Sequence, residues 1–264
     1  MMRILHILDH SIPLHSGYTF RTRAILEQQR RMGWETSQLT STKQGRTREQ
    51  REQVGELAFY RTQPSSGVVS RLPVINQLAV VSQLERRLAE VIPEVKPDLL
   101  HAHSPVLNGL AALRAARRFS LPLVYEVRAF WEDAAVDHGT GSEGGLRYRL
   151  TRALETHVLK HASAVTTICA GLGADIVARG VPGERVTVIP NAVDIGRFSM
   201  DSKPDPAQQA KLGLEGKTVL GFIGSFYAYE GLDLLLQAIP GILQSEPDTR
   251  LLLVGGGPEE QRLK

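Results

Sequence analysis

The chain has 264 residues, 42% of them hydrophobic and 22% charged, with 31 Lys and Arg against 28 Asp and Glu. That length accommodates two domains, and ordinary Gly, Pro and Cys counts of 24, 14 and 1 exclude a disordered, collagenous or disulfide-stapled chain. A formal charge of +3 is too small to point to nucleic acid, and no apolar run reaches the roughly eighteen residues of a membrane-spanning helix.

Residues Arg3 to Leu8 read as a first buried strand, because the apolar run is too short and too soon polar for a signal peptide. With one cysteine and no export signal, the expected location is the cytoplasm. A Gly/Pro/Ser loop from Ser11 to Gly17 leads into a helix over Thr19 to Arg31, closed at Gly33, which suits a left-handed cap. Strands are expected over Glu35–Thr40, Asp98–His103, Leu121–Val127, Ala164–Ile168 and Val186–Ile189, with helices over Leu107–Arg118 and Gly145–His161. Strands separated by helices of this length make right-handed βαβ units and a parallel sheet. Residues 199–216 are polar with two prolines and read as a linker between a domain at 1–198 and a second at 217–264. The pattern then restarts, with a strand at Thr218–Ile223, a helix at Gly231–Leu243 and a strand at Arg250–Val254. Only about 50 residues follow the linker, against roughly 100 for a self-standing domain, so the second domain is expected to be cut short.

Ligands of open parallel sheets sit beyond the carboxyl ends of the strands, so the loops there hold the candidates. Ser16-Gly17-Tyr18 precedes a helix and suits either a phosphate or a plain turn. His101 and His103 lie two apart and share a face. A zinc pair would need a third ligand, none stands at the usual spacing, and a structural role stays open beside a functional one. Glu126 and Arg128 form either a simple ion pair or an acid and a cation for a polar substrate. Phe130-Trp131-Glu132-Asp133 offers rings that stack on sugars or anchor a loop. Asn191 faces a crevice or makes an Asx-turn, and Gly224-Ser225 and Gly255-Gly256-Gly257 serve phosphates or tight turns. Cys169 reads as a small packed residue. Two basic groups, Lys43, Arg46, Arg48 and Arg51, then Arg147, Arg149, Arg152, Lys160 and His161, are solvated faces or docking sites for anionic lipid.

Taken in order, Ser16-Gly17, His101-Ala102-His103-Ser104, Ile189-Pro190-Asn191-Ala192-Val193-Asp194, Gly221-Phe222-Ile223-Gly224-Ser225 and Leu253-Val254-Gly255-Gly256-Gly257-Pro258 resemble the retaining glycosyltransferases of family 4. Tyr125-Glu126-Val127-Arg128-Ala129-Phe130-Trp131-Glu132-Asp133 and the segment Gly224 to Asp233 resemble the exosortase-associated, exopolysaccharide-making branch. The resemblance implies an α/β protein of GT-B type, with a Rossmann-like parallel-sheet N-terminal domain and the beginning of a second Rossmann-like domain. It implies sugar transfer with retention from a nucleotide diphosphate sugar to a glycan or lipid-linked acceptor, without metal or cofactor. A peripheral contact at the inner membrane face accompanies that reading.

His103 would be the catalytic residue against the transferring sugar. Gly17, Tyr18, Glu126, Arg128, Asn191, Gly224 and Ser225 would bind donor or acceptor. The sequence departs from the family where Ser225 and Glu230 replace a diphosphate-binding Arg and Lys, and where Arg128-Ala129 replaces His-Asp. Arg128 is the candidate substitute cation. The family's paired glutamates are absent, so the chain is expected to be an incomplete, inactive piece. Two other functions stay open. A nucleotide-sugar 2-epimerase shares the architecture, but the Ile-Pro-Asn-Ala-Val-Asp segment speaks against it. A non-catalytic acceptor-binding module would explain Ser225 and Glu230, whereas Gly17, His103 and Asn191 favour an enzyme.

Overall fold

The computed structural model describes residues 1–264 except 48, 65–72, 138, 197 and 199–202. They fall into two compact units, Met1–Ala135 with Gly141–Asn191, and Val136–Thr140 with Ala192–Lys264.

The first unit alternates strand and helix in chain order: β1 (Arg3–Leu8), α1 (Gly17–Arg31), β2 (Glu35–Thr40), β3 (Arg51–Val54), β4 (Leu57–Arg61), α2 (Pro73–Val95), β5 (Leu99–His103), α3 (Val106–Phe119), β6 (Leu123–Val127), α4 (Trp131–Asp137), α5 (Leu146–His161), β7 (Ala164–Thr167), α6 (Ala170–Ala178) and β8 (Val186–Val188). One eight-stranded sheet runs β3-β4-β2-β1-β5-β6-β7-β8. Every pair is parallel except β3 with β4, which turn back on each other at Gly55 in the left-handed region. The order reverses between β1 and β5: from β1 the chain goes to β2 on one side, then returns to β5 on the other. Such a switch point opens a crevice at the carboxyl ends of the two strands.

The two faces of this sheet differ in chemistry. Leu5, Ile7, Leu39, Leu100, Ala102, Leu123, Tyr125 and Val127 point to one side and pack with residues of α2, α3 and α5 into the main core. The alternate positions point to the other side. There β2, β1, β5 and β6 present Gln38, His6, His101, His103 and Glu126, all buried. Helix α1 meets this polar side, and its only buried residues are Thr19, Thr22 and Leu26. A small apolar group of Leu8, Ile12, Leu26, Leu57 and Phe59 completes the contact.

The second unit holds α7 (Pro206–Leu212), β9 (Thr218–Ser225), α8 (Leu232–Ser245), β10 (Thr249–Gly256) and α9 (Glu260–Leu263), with β9 and β10 parallel. The expected linker is partly helical. Asp205 caps α7 by accepting from the backbone N–H groups of Ala207 and Gln208, Pro206 starts it, and left-handed Gly213 ends it. Residues 199–202 of that linker lie outside the described residues.

Candidate functional site

The site grows from the register of three strands. His6 stands beside His101 in the β1–β5 pair, and His103 beside Glu126 in the β5–β6 pair, so four ionisable side chains share the polar face next to the switch point. The rings of His101 and His103 stack at 4.3 Å, and His6 lies 4.9 and 5.3 Å from them. His6 supplies the third imidazole that spacing along the sequence did not reveal, because it lies ninety-five residues away in the chain (101 − 6) and adjacent in the sheet. One nitrogen from each of the three rings falls within 4.8 Å of the others. A metal nonetheless fits poorly. The lone pairs of His101 and His103 run in nearly parallel planes, tilted by 21°, and do not converge on one point.

Hydrogen bonds claim the nitrogens of His6 and His103 instead, while His101 Nε2 has no hydrogen-bond partner among the described residues and lies 3.4 Å from Glu126 Oε2. Arg128 Nη2 donates to His103 Nδ1 at 2.7 Å, His103 Nε2 and His6 Nδ1 are 3.0 Å apart, and His6 Nε2 is 2.8 Å from Gln29 Oε1 on α1. His103 has no exposed surface. Burial, reinforced by His101, pushes both His6 and His103 well below the usual histidine range.

Arg128 is fixed on four sides. Its Nε donates to Glu126 Oε1, Nη1 to the Tyr18 carbonyl, and Nη2 to Thr22 Oγ1 as well as to His103. The guanidinium also lies 4.3 Å over the Tyr18 ring. Four of its five N–H groups are therefore committed inside the first unit, and one is left for a ligand.

Arg21, which the sequence reading passed over, binds the same Glu126 oxygen through Nε at 2.9 Å. It then reaches the Ile189 and Pro190 carbonyls and Asn191 Oδ1. Burial works against charge on Glu126, but the imidazoles beside it and Arg128 outweigh burial and hold its carboxyl well below the usual carboxylate range.

The structure thus brings Tyr18, His103, Glu126, Arg128 and, through Arg21, Asn191 into one hydrogen-bonded group. Asn191 is exposed and its side-chain oxygen accepts from Arg21, which replaces the Asx-turn reading. Tyr18 is half-buried, its hydroxyl accepts from the Asp9 N–H, and desolvation of that hydroxyl pushes its pKa up. Gly17 opens α1 just ahead of Tyr18, after the Ser16 cap. Its φ is not positive and a side-chain carbon there would meet nothing within 4 Å, so neither a turn nor packing demands glycine. Gly224 and Ser225 belong to the second unit, at the exposed end of β9. Gly224 lies opposite Gly255, where a side chain would overlap the Gly224 carbonyl, so Gly255 serves the close approach of the two strands, whereas a side chain at Gly224 would meet the Phe222 ring.

Several other expectations resolve. Phe130 and Glu132 are buried anchors: Arg179 pairs with Glu132 at 2.8 Å and stacks 3.6 Å from the Phe130 ring. Trp131 stays exposed on α4. Cys169 is exposed at the start of α6 and is not a packed residue, because the strand has already ended and its side chain leaves the sheet. Arg51 pairs with Glu94, while Arg48 lies outside the described residues. Among the described residues no helix is long and apolar enough to cross a membrane.

The chain matches the model of the glycosyl transferase 4-like domain over residues 16–192 and that of glycosyl transferases group 1 over 204–264. It is 31% identical over 163 residues to a D-inositol 3-phosphate glycosyltransferase of Segniliparus rotundus, covering 60% of this chain and 34% of that protein. It is 25% identical over 265 residues to a GDP-mannose-dependent alpha-mannosyltransferase of Mycobacterium tuberculosis, covering 100% of this chain and 65% of the relative. The chain therefore spans less than two thirds of either relative. Among solved structures, sucrose-phosphate synthase from Thermosynechococcus elongatus superposes with a TM-score of 0.74 at 19% identity, over 100% of this chain and 66% of that one. The mainly parallel α/β, Rossmann-like fold is that of the GT-B glycosyltransferases, and the match over 16–192 shows that the chain belongs to the glycosyl transferase 4-like family.

Proposed function

We propose that this chain transfers a hexosyl group from a nucleotide diphosphate sugar to a glycan or lipid-linked acceptor, with retention at the anomeric carbon, in exopolysaccharide synthesis of the exosortase-associated kind. The observation that carries the reading is His103, fixed at the carboxyl end of β5 beside the switch point and next to the glycine-opened start of α1. In this reading a hydroxyl of the transferring sugar takes the place that Arg128 holds on His103 Nδ1. Gly17 and Tyr18 let the ligand approach the first turn of α1, and Arg21 and Arg128, held in place by Glu126, supply fixed positive charge near the charge that builds on the leaving diphosphate. Gly224 and Ser225 are the donor-side residues of the second unit, and no metal or cofactor is invoked. The transferase families matched support this reading over a 2-epimerase.

A peripheral contact with an anionic membrane at the cytoplasmic face belongs to the same proposal. Leu146 and Leu150, one helical turn apart, are exposed on α5 and flanked by exposed Arg149 and Lys160.

The test is nucleotide release from a panel of nucleotide sugars with glycan and lipid-linked acceptors. Turnover that drops by about 100-fold or more in His103→Ala supports the transferase. Acceptor binding with no release from any donor would instead favour a binding module.

A further inference from the structure

We infer that a polarised chain of contacts, set at Arg128 and running through His6 to Gln29, holds His103 in its neutral Nε2–H form and leaves Nδ1 as a hydrogen-bond acceptor at the site. The argument is one of donors and acceptors along a single chain of contacts. A guanidinium only donates, so the 2.7 Å contact from Arg128 Nη2 requires a bare lone pair on His103 Nδ1. A neutral imidazole then carries its proton on Nε2, and that N–H donates across 3.0 Å to His6 Nδ1. His6 in turn carries its proton on Nε2 and donates it across 2.8 Å to Gln29 Oε1. Every link has one permitted polarity. A second proton on His103 would point its N–H at the Arg128 N–H.

The groups around His103 agree with this assignment. From β1 it meets His6, from β5 His101, from β6 Glu126, from the bend that follows β6 Arg128, and from α1 the edge of the Tyr18 ring. Among the described residues the carboxylate it faces is Glu126, whose Oε1 takes both arginines and whose Oε2 lies 3.5 Å from His103 Nδ1, well beyond the 2.7 Å contact from Arg128. Resting on the transferase reading, the inference gives His103 a definite task. It accepts a hydrogen bond from a sugar hydroxyl and neither gives nor takes a proton in the reaction. His6 and Gln29 act only through it.

Long-range 1H–15N spectra of the labelled protein read the form of each ring directly. The expected wild-type signature is Nε2–H for His6 and His103, with neither ring titrating down to about pH 5. Gln29→Glu sets a carboxylate against His6 and makes its doubly protonated form favourable. His6 Nδ1–H then faces His103, which must switch to Nδ1–H and turn a donor toward Arg128. The switch should appear in the spectrum and lower nucleotide release by about tenfold, with recovery as rising pH deprotonates His6.

Gln29→Leu is the control. It removes a partner but leaves the polarity set from the Arg128 end, so His103 keeps Nε2–H. A wild-type His103 that carries Nδ1–H, or that titrates near pH 6.5, overturns the inference. So does an unchanged spectrum in Gln29→Glu. Because the spectrum needs no turnover, failure of every donor sugar to release nucleotide counts against the transferase reading alone.

Discussion

Gly17 occupies a position where an ordinary side chain would be tolerated, yet the chain uses the residue that lowers helix stability. Gly17→Ala should therefore leave the melting temperature unchanged or slightly raised, while nucleotide release falls by about tenfold or more if a ligand approaches that backbone. Unchanged activity would reduce Gly17 to a bystander. Glu126 makes the opposite case. It is 2% exposed and pairs with two guanidiniums through one oxygen. Glu126→Gln should cost about 3–5 kcal/mol in urea unfolding, because Arg21 and Arg128 are left without their counter-charge. Much of this chemistry was visible in the sequence as residue types: His103, Glu126 and Arg128 stood at strand ends. Their partners were not. His6, Gln29 and Arg21 join the group only because the sheet order sets β1 between β2 and β5 and drapes α1 across both. No local spacing encodes that.

Among the elements, most were legible from local pattern, but a polar edge strand, a capped start signal and one helix with a clear apolar stripe were not. β2 runs over Glu35–Thr40 as expected, and α5 starts at Leu146, one residue later than read. The β3–β4 hairpin went unread because β3 is a polar edge strand, Arg-Glu-Gln-Val, inside a basic stretch. Helix α2 was also passed over, although Val80, Val81, Leu84, Leu88, Val91 and Ile92 repeat at helical spacing and all are buried. In α7, Asp205-Pro206 was taken as a breaker where it is a start signal. α5 carries the membrane prediction. On vesicles containing phosphatidylglycerol, Arg149→Gln should weaken partition by about fivefold and high salt should abolish it, since each cation near an anionic surface contributes about 1 kcal/mol. Equal partition onto neutral vesicles would remove the electrostatic basis of that contact.

At the scale of the whole first unit, buried titratable groups pull stability in opposite directions with pH. His6 and His103 are depressed below the usual range, so the unfolded chain binds their protons first and stability is lost as pH falls below about 6.5. Glu155 is the reverse. Burial raises it to about 7, so its contribution is complete in acid and is lost as pH rises toward 7. Between about pH 4.5 and 6.5 two histidines oppose one carboxyl. Unfolding free energy should thus fall by about 1.4 kcal/mol per pH unit of acidification, one net proton. Glu155→Gln should roughly double that slope in urea titrations at pH 5 and 6. A flat profile would mean that the histidines charge freely in the folded state.

The polar face under α1 also has a consequence for how this protein tolerates recombination. Apolar interfaces accept exchanged parts of similar volume, whereas an interface of matched donors and acceptors accepts only parts that bring the complementary atoms. Arg21, Thr22 and Gln29 on α1 are written against Glu126 and His6 on the strands and Arg128 just after β6. A chimera that imports residues 17–31 from a distant relative should fold poorly. One that imports His6, Glu126 and Arg128 equivalents with them should recover, so the helix and its three partners behave as a single exchangeable block.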